Sequence, residues 1–185
     1  MTNNNDDHLD GIQDTDQWLE ILMKDYGEKL IRVAYLYLKD WKLAEDVVQE
    51  TFIKCFLKQK DFRGDSSVKT WIYSILTNAC RDILRSTSYK KTIIVNKLYP
   101  YQDTYTESPE DAVIQNEDEY YLSECVLSLP IKYREVIILF YYESLTINEI
   151  SNLLKTKNST IKVRLKRGRE KLRKLVDKGV EIYAK

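Results

Sequence analysis

A chain of 185 residues with 43% hydrophobic content can build one or two domains with buried cores. It has no apolar run of about 18 residues and begins with an acidic, polar stretch, so neither a membrane-inserted helix nor a secretory signal is expected, and the protein reads as cytoplasmic. Three widely spaced cysteines (Cys55, Cys80, Cys125), a lone His8 and five glycines without a phosphate loop leave no metal site, no cofactor and no small-molecule substrate to expect, and no catalytic residues beyond the bare possibility of a carboxylate pair.

The formal net charge of zero divides into blocks. Residues 1–17 carry five acids and no base, and residues 18–97 carry 15 basic against 10 acidic side chains. Residues 98–131 carry eight acids and no base, while 132–185 carry 14 basic against 6 acidic. Segregation of this kind suggests two basic modules separated by an acidic connector that should avoid DNA.

The tail 1–17 reads as disordered. From Trp18 to about Lys39, the residues Leu30, Val33, Ala34, Tyr37 and Leu38 fall on one helical face. After a connector at Asp40–Trp41, a second helix is expected from Leu43 to about Lys58. Its Ala44, Val48, Thr51, Phe52 and Cys55 lie on one side, with Asp46, Gln49, Glu50 and Ile53 in a stripe opposite. The segment Asp61–Ser67 supplies a turn glycine and helix-capping hydroxyls. A third helix over about Val68–Arg85 has the apolar face Val68, Ile72, Ile75, Leu76, Ala79 and Ile83. Thr70, Ser74, Thr77, Asn78, Arg81 and Arg85 lie on its other face, and Trp71 at the border suits core or nucleic acid equally. The first domain is therefore drawn at 18–90 and the linker at 91–124. Ser88–Asp111 fully extended would span roughly 80 Å, enough to place the two modules on separate DNA sites.

In the second domain, drawn at 125–185, Ile131–Tyr142 carries Val136, Ile137, Phe140 and Tyr141 at helical spacing. Thr146 and Glu149 form a capping-box pattern ahead of a short helix. After a break at Lys155–Asn158, capped by Asn158 or Ser159, a last helix runs to about Lys178 and would bury Ile161, Leu165, Gly168, Leu172 and Val176. Residues 155–174 hold ten basic side chains and one acid, Glu170. Helix, turn and basic helix together suggest a helix-turn-helix, with cations for guanine edges and phosphates and with backbone N–H groups at Ser159–Thr160 for a phosphate. A basic helix alone fits a solvated face or an acidic protein partner as well. The fold class is all-α, two helical domains joined by a flexible acidic linker.

Three stretches carry a resemblance: Ala44–Phe52, Phe62–Tyr73 continuing through Asn78–Asp82, and Leu129–Val136 with Glu149–Ser151 and the basic last helix. In their order and spacing the chain resembles bacterial RNA polymerase sigma factors of the extracytoplasmic-function (ECF) group of the sigma-70 family. The resemblance implies a non-enzymatic factor that binds core RNA polymerase and directs promoter recognition, DNA opening and transcription initiation at a dedicated promoter class in a stress or envelope response. It implies core docking through Asp46, Gln49, Glu50 and Ile53, where a solvated acidic face is the plain alternative. It implies −10 contacts by Phe62, Arg63, Lys69, Thr70, Trp71, Asn78, Arg81 and Arg85, and −35 contacts by Ser159, Thr160, Lys162, Val163, Arg164, Lys166 and Arg167. Its implied partners are core polymerase, promoter DNA and an anti-sigma factor. The chain departs from the family pattern at Lys155, where a glycine is usual, at the polar Thr156-Lys157-Asn158, and at Ser151 in place of alanine. A stand-alone helix-turn-helix regulator and a small carboxylate enzyme are the competing readings.

Overall fold

The computed structural model describes residues 12, 14–62, 64, 66–86 and 117–183, with side chains of the later segment described over 121–177. The His8 tail, Arg63, Asp65 and residues 87–116, which hold most of the linker expected at 91–124, lie outside the described residues. Every regular element among the described residues is helical: α1 (Thr15–Leu38), α2 (Trp41–Lys58), a 3-10 turn at Gln59–Asp61, α3 (Val68–Arg85), α4 (Glu117–Ser128), α5 (Ile131–Ile137), a π-helical stretch at Ile138–Tyr142, α6 (Ile147–Leu153) and α7 (Asn158–Tyr183).

Side-chain caps set the starts of the first three helices. Asp14 accepts from the Asp16 N–H at 3.0 Å, Asp40 from Leu43 at 2.9 Å and Ser67 from Thr70 at 3.1 Å. The first helix thus begins at Thr15, inside the stretch read as a tail, and Trp41 opens α2 stacked on Tyr35 at 4.1 Å between ring centroids. The turn glycine expected between α2 and α3 is Gly64, whose φ of +72° favours a residue without Cβ. The expected faces Leu30/Val33/Ala34/Tyr37/Leu38 and Ala44/Val48/Thr51/Phe52/Cys55 are all buried.

Two corrections follow in the second half. Helix α4 starts at Glu117, so it crosses the boundary drawn between linker and second domain at 124/125. The widened π turn advances the helical face, which leaves Ile138 and Leu139 fully buried and Tyr141 50% exposed rather than packed. The last helix buries Ile161 and Leu165 as expected, half-buries Leu172 and Val176, and continues to Tyr183. Gly168 lies against α5, where an added Cβ would sit 3.2 Å from Ile137 Cγ1, so the helices approach as closely as they do because a glycine is there.

The two halves pack against each other. Buried side chains of α1–α3 and of α4–α7 form one continuous apolar cluster. Arg134 of α5 is 6% exposed and donates to the Leu127 carbonyl at 2.5 Å and to the Tyr37 carbonyl, in the last turn of α1, at 3.1 Å. A cation over a helix C-terminus meets carbonyls that lack helical partners.

A candidate polymerase and nucleic-acid interface

On α2 the side chains Asp46, Gln49, Glu50 and Ile53 are all exposed, Ile53 by 59%. Glu50 pairs with Lys54 at 2.7 Å on the same surface. Sequence reasoning missed two neighbours: Phe56 and Leu57 are 38% and 72% exposed, three and four positions beyond Ile53. Their signal was available, since Phe52 and Cys55 already satisfy the core face of that turn. The result is an apolar patch edged by acids on one helix.

The capping box is formed as its pattern suggested. The Thr146 N–H donates to Glu149 Oε2 at 2.7 Å, and the Glu149 N–H to Thr146 Oγ1 at 3.3 Å. The turn into α7 closes between Ser151 and Thr156: the Ser151 hydroxyl donates to the Thr156 carbonyl at 2.6 Å, and the Thr156 N–H to the Ser151 carbonyl at 2.9 Å. Lys155 sits in this turn with φ of +49°, the left-handed conformation for which the usual glycine is suited. Helix α7 begins at Asn158, so the residue preceding it is Lys157, whose carbonyl accepts from Ile161 at 3.1 Å. Asn158, expected as a possible cap, donates instead to Asn148 Oδ1 at 2.7 Å. The Thr160 N–H bonds the Lys157 carbonyl at 2.9 Å, so it is not among the amides left for a phosphate.

From α7, Ser159, Lys162, Val163, Lys166 and Arg167 are exposed and Thr160 is half-buried. Arg164 turns back and donates to Glu135 Oε1 at 3.1 Å. On α3, Asn78 and Arg85 are exposed, Lys69, Trp71, Ser74 and Arg81 are half-buried, and the two threonines of the expected face are buried. Thr70 is 6% exposed and donates to Glu149 Oε1 at 3.4 Å, and Thr77 is fully buried. Lys69 donates to the Glu143 carbonyl at 2.5 Å, with its ammonium 3.7 Å from Glu143 Oε2. Tyr73 donates a short hydrogen bond to the same carboxylate. Burial first, and then the Glu143 charge, push the Tyr73 hydroxyl far above its usual range. Phe62 and Trp71 pack 5.1 Å apart, and Trp71 meets Trp18 edge-on at 6.2 Å, which favours core over nucleic acid for that ring.

Glu135 joins the two helices read as DNA-facing. Its side chain is 4% exposed and receives Arg81 Nε at 3.1 Å and Arg81 Nη2 at 2.8 Å, together with Arg164. A buried ion pair roughly breaks even against desolvation, while deleting one partner costs about 3–5 kcal/mol. The clasp thus weighs more on which arrangement the halves adopt than on their net adhesion. The sequence reading placed Arg81 and Arg164 on separate DNA sites; it did not assign them a common carboxylate.

Comparison with known proteins places these elements. Sigma-70 region 2 matches residues 22–89, covering most of α1 with α2 and α3, and Sigma-70 region 4 matches residues 120–172, covering most of α4, α5, α6 and the first part of α7. The chain is 34% identical over 156 residues to the ECF RNA polymerase sigma factor SigW of Bacillus subtilis (strain 168), covering 80% of this chain and 83% of that one. It is 30% identical to ECF RNA polymerase sigma factor SigM of the same organism, over 84% of this chain and 93% of the relative. Among solved structures, the fold is similar to sigma factor RpoE from Bartonella quintana, determined with the anti-sigma factor NepR, at a TM-score of 0.69 and 24% identity over 85% of this chain and 96% of that one. The chain belongs to the sigma-70 family of RNA polymerase sigma factors, in its extracytoplasmic-function group.

Proposed function

We propose that this sigma factor docks on core polymerase through the outer face of α2, reads the −10 element with α3 and the loop before it, and reads the −35 element with α7. The observation that carries the reading is the exposed stripe Asp46, Gln49, Glu50 and Ile53, extended by Phe56 and Leu57. A stand-alone helix-turn-helix regulator would give no reason for that surface on α2. Sigma factors are regulatory DNA-binding proteins rather than enzymes. No helix among the described residues is long and apolar enough to cross a membrane. Membership of the ECF group supports action in the cytoplasm, a stress or envelope signal, and restraint by an anti-sigma protein; one solved relative was captured with such an inhibitor.

Pull-down on core polymerase, followed by run-off transcription from genomic fragments with mapped start sites, tests the assignment. Core capture and a shared two-element promoter are expected; duplex binding without core capture would favour the regulator. Lys166→Ala and Arg167→Ala should each weaken −35 use by about 1–3 kcal/mol if they contact bases. Unchanged promoter preference would remove them from the reading set.

A further inference from the structure

Thr15 belongs to the stretch that reads as an acidic tail, yet it opens α1, and with Trp18 three positions on it shares one face of that helix. Both side chains turn toward the connector between α2 and α3. The Thr15 hydroxyl donates to Gln59 Oε1 at 2.9 Å, in the 3-10 turn where the connector begins. The Gln59 carbonyl in turn accepts from the Phe62 N–H at 3.1 Å. Phe62 packs on Trp71 at 5.1 Å, and Trp71 closes the circuit against Trp18 at 6.2 Å. On the far side of the connector, Ser67 caps α3, and its carbonyl accepts from the Trp71 N–H at 3.0 Å. Helix α1 therefore holds both ends of the connector, one through a hydrogen bond and the other through a ring contact. Its own first turn is fastened by the Asp14 side-chain cap and by the Trp18 N–H on the Asp14 carbonyl at 3.0 Å. Ile12, just ahead of that cap, packs against the apolar cluster.

We infer that the first turn of α1 is a brace that positions the −10 reader, with Thr15 and Trp18 as its two positioning residues. The inference rests on the assignment of α3 and the loop before it to the −10 element. Taking an unstacked base onto a loop is opposed by the entropy of ordering that loop. With Gln59, Phe62 and Trp71 tied to α1, part of that ordering is done when the chain folds rather than when the strand binds. Trp18 is 4% exposed, so it acts through Trp71 and not by touching DNA. The brace should therefore bear on the −10 strand alone, and leave α2 free to dock on polymerase and α7 to take the −35 duplex.

The test uses holoenzyme assembled from the full chain and core polymerase. Its probe is a fluorescein-labelled single strand, the non-template strand just upstream of a start site mapped by run-off transcription. Thr15→Val keeps the shape of the side chain and removes the donor, while Gln59→Leu removes the acceptor. Each is expected to weaken binding of the strand by about two- to tenfold, the population shift that loss of one hydrogen bond allows. Because both remove the same bond, the double variant should lose no more than either one alone. Thr15→Ser, which keeps the hydroxyl, should bind like the unmodified chain. Trp18→Leu should weaken the strand as well, and Trp18→Phe should restore it by keeping a ring against Trp71. Affinity for core polymerase, and for a −35 duplex that ends before the −10 element, should stay unchanged throughout.

If Trp18→Leu fails to fold, the Thr15 and Gln59 variants decide, since both positions are only half-buried. Strand affinity equal to that of the unmodified chain in both single variants overturns the inference. Additive losses in the double variant overturn it too, as does an equal loss of core or −35 binding. Asn78→Ala and Arg85→Ala, at exposed positions on α3, separate the brace from the reading beneath it. If they weaken strand binding and the Thr15 and Gln59 variants do not, the brace alone is wrong. If both bind the strand like the unmodified chain, α3 is not the −10 reader and that assignment falls.

Discussion

Several buried side chains hold protons that solvent would take from them at high pH. Burial pushes the Cys55 and Cys80 thiols from the usual 9.0 up to about 12. Burial, aided by Glu135, raises Tyr37 well above 10.0, and burial aided by Glu143 raises Tyr73. A raised folded-state value means that the unfolded chain releases its protons first as pH increases. The stability these groups contribute is therefore whole below about pH 9 and declines above it, each group adding a slope of at most about 1.4 kcal/mol per pH unit. Urea midpoints measured from neutral pH to pH 11 should fall in that range, with no tyrosinate absorbance from Tyr37 or Tyr73 before unfolding. A midpoint that is flat to pH 11 would contradict the burial. The same chemistry keeps Cys55 and Cys80 unreactive: a thiolate is the nucleophile, and at pH 8 little of either is present. Maleimide should label neither until denaturant is added.

At the scale of elements, legibility followed the number of local signals that agree. Helices α1 and α2 carry an apolar face and a polar N-cap each, and the faces named for them were recoverable from spacing alone; on α3, Ile75 and Ile83 of the expected face are only half-buried. The π turn after α5 was not, because nothing local distinguishes Ile138–Tyr142 from ordinary helix; its register is set by burying Ile138 and Leu139. The turn between α6 and α7 lies between these cases. Comparison with the usual family glycine singled out Lys155, and its φ of +49° supplies the reason. A left-handed conformation costs a residue with Cβ roughly 1–2 kcal/mol. Glycine returns about 0.4–1 kcal/mol of that through the entropy of the unfolded chain. Lys155→Gly should accordingly stabilise the protein by up to about 1 kcal/mol, read as a higher denaturant midpoint at unchanged slope. A lower midpoint would mean that the lysine side chain contributes more than its backbone costs.

Across the whole molecule, the contacts that matter most were the least legible. Spacing gave the polar face of α3 a hydrogen-bonding character, but Thr70 is buried and bonded to Glu149, 79 residues away. Block charge hid the three acids that meet that face, because they are outnumbered within their own segment. A linker able to reach roughly 80 Å suggested separated modules; the structure instead joins them through one apolar cluster, Arg134 and Glu135. The consequence is cooperativity, and the tryptophans can report it. All three, Trp18, Trp41 and Trp71, lie in α1–α3, so their fluorescence follows the first half alone. Ile150 is fully buried in α6 of the second half, and Ile150→Ala should cost about 2–5 kcal/mol. If the halves unfold as one unit, the tryptophan transition moves to lower denaturant by the same amount as the helical signal from circular dichroism. If they unfold separately, the tryptophan midpoint stays in place while only part of the helical signal shifts. Adding Glu135→Gln to Ile150→Ala should bring on that separate behaviour, because it weakens the one carboxylate shared by α3, α5 and α7.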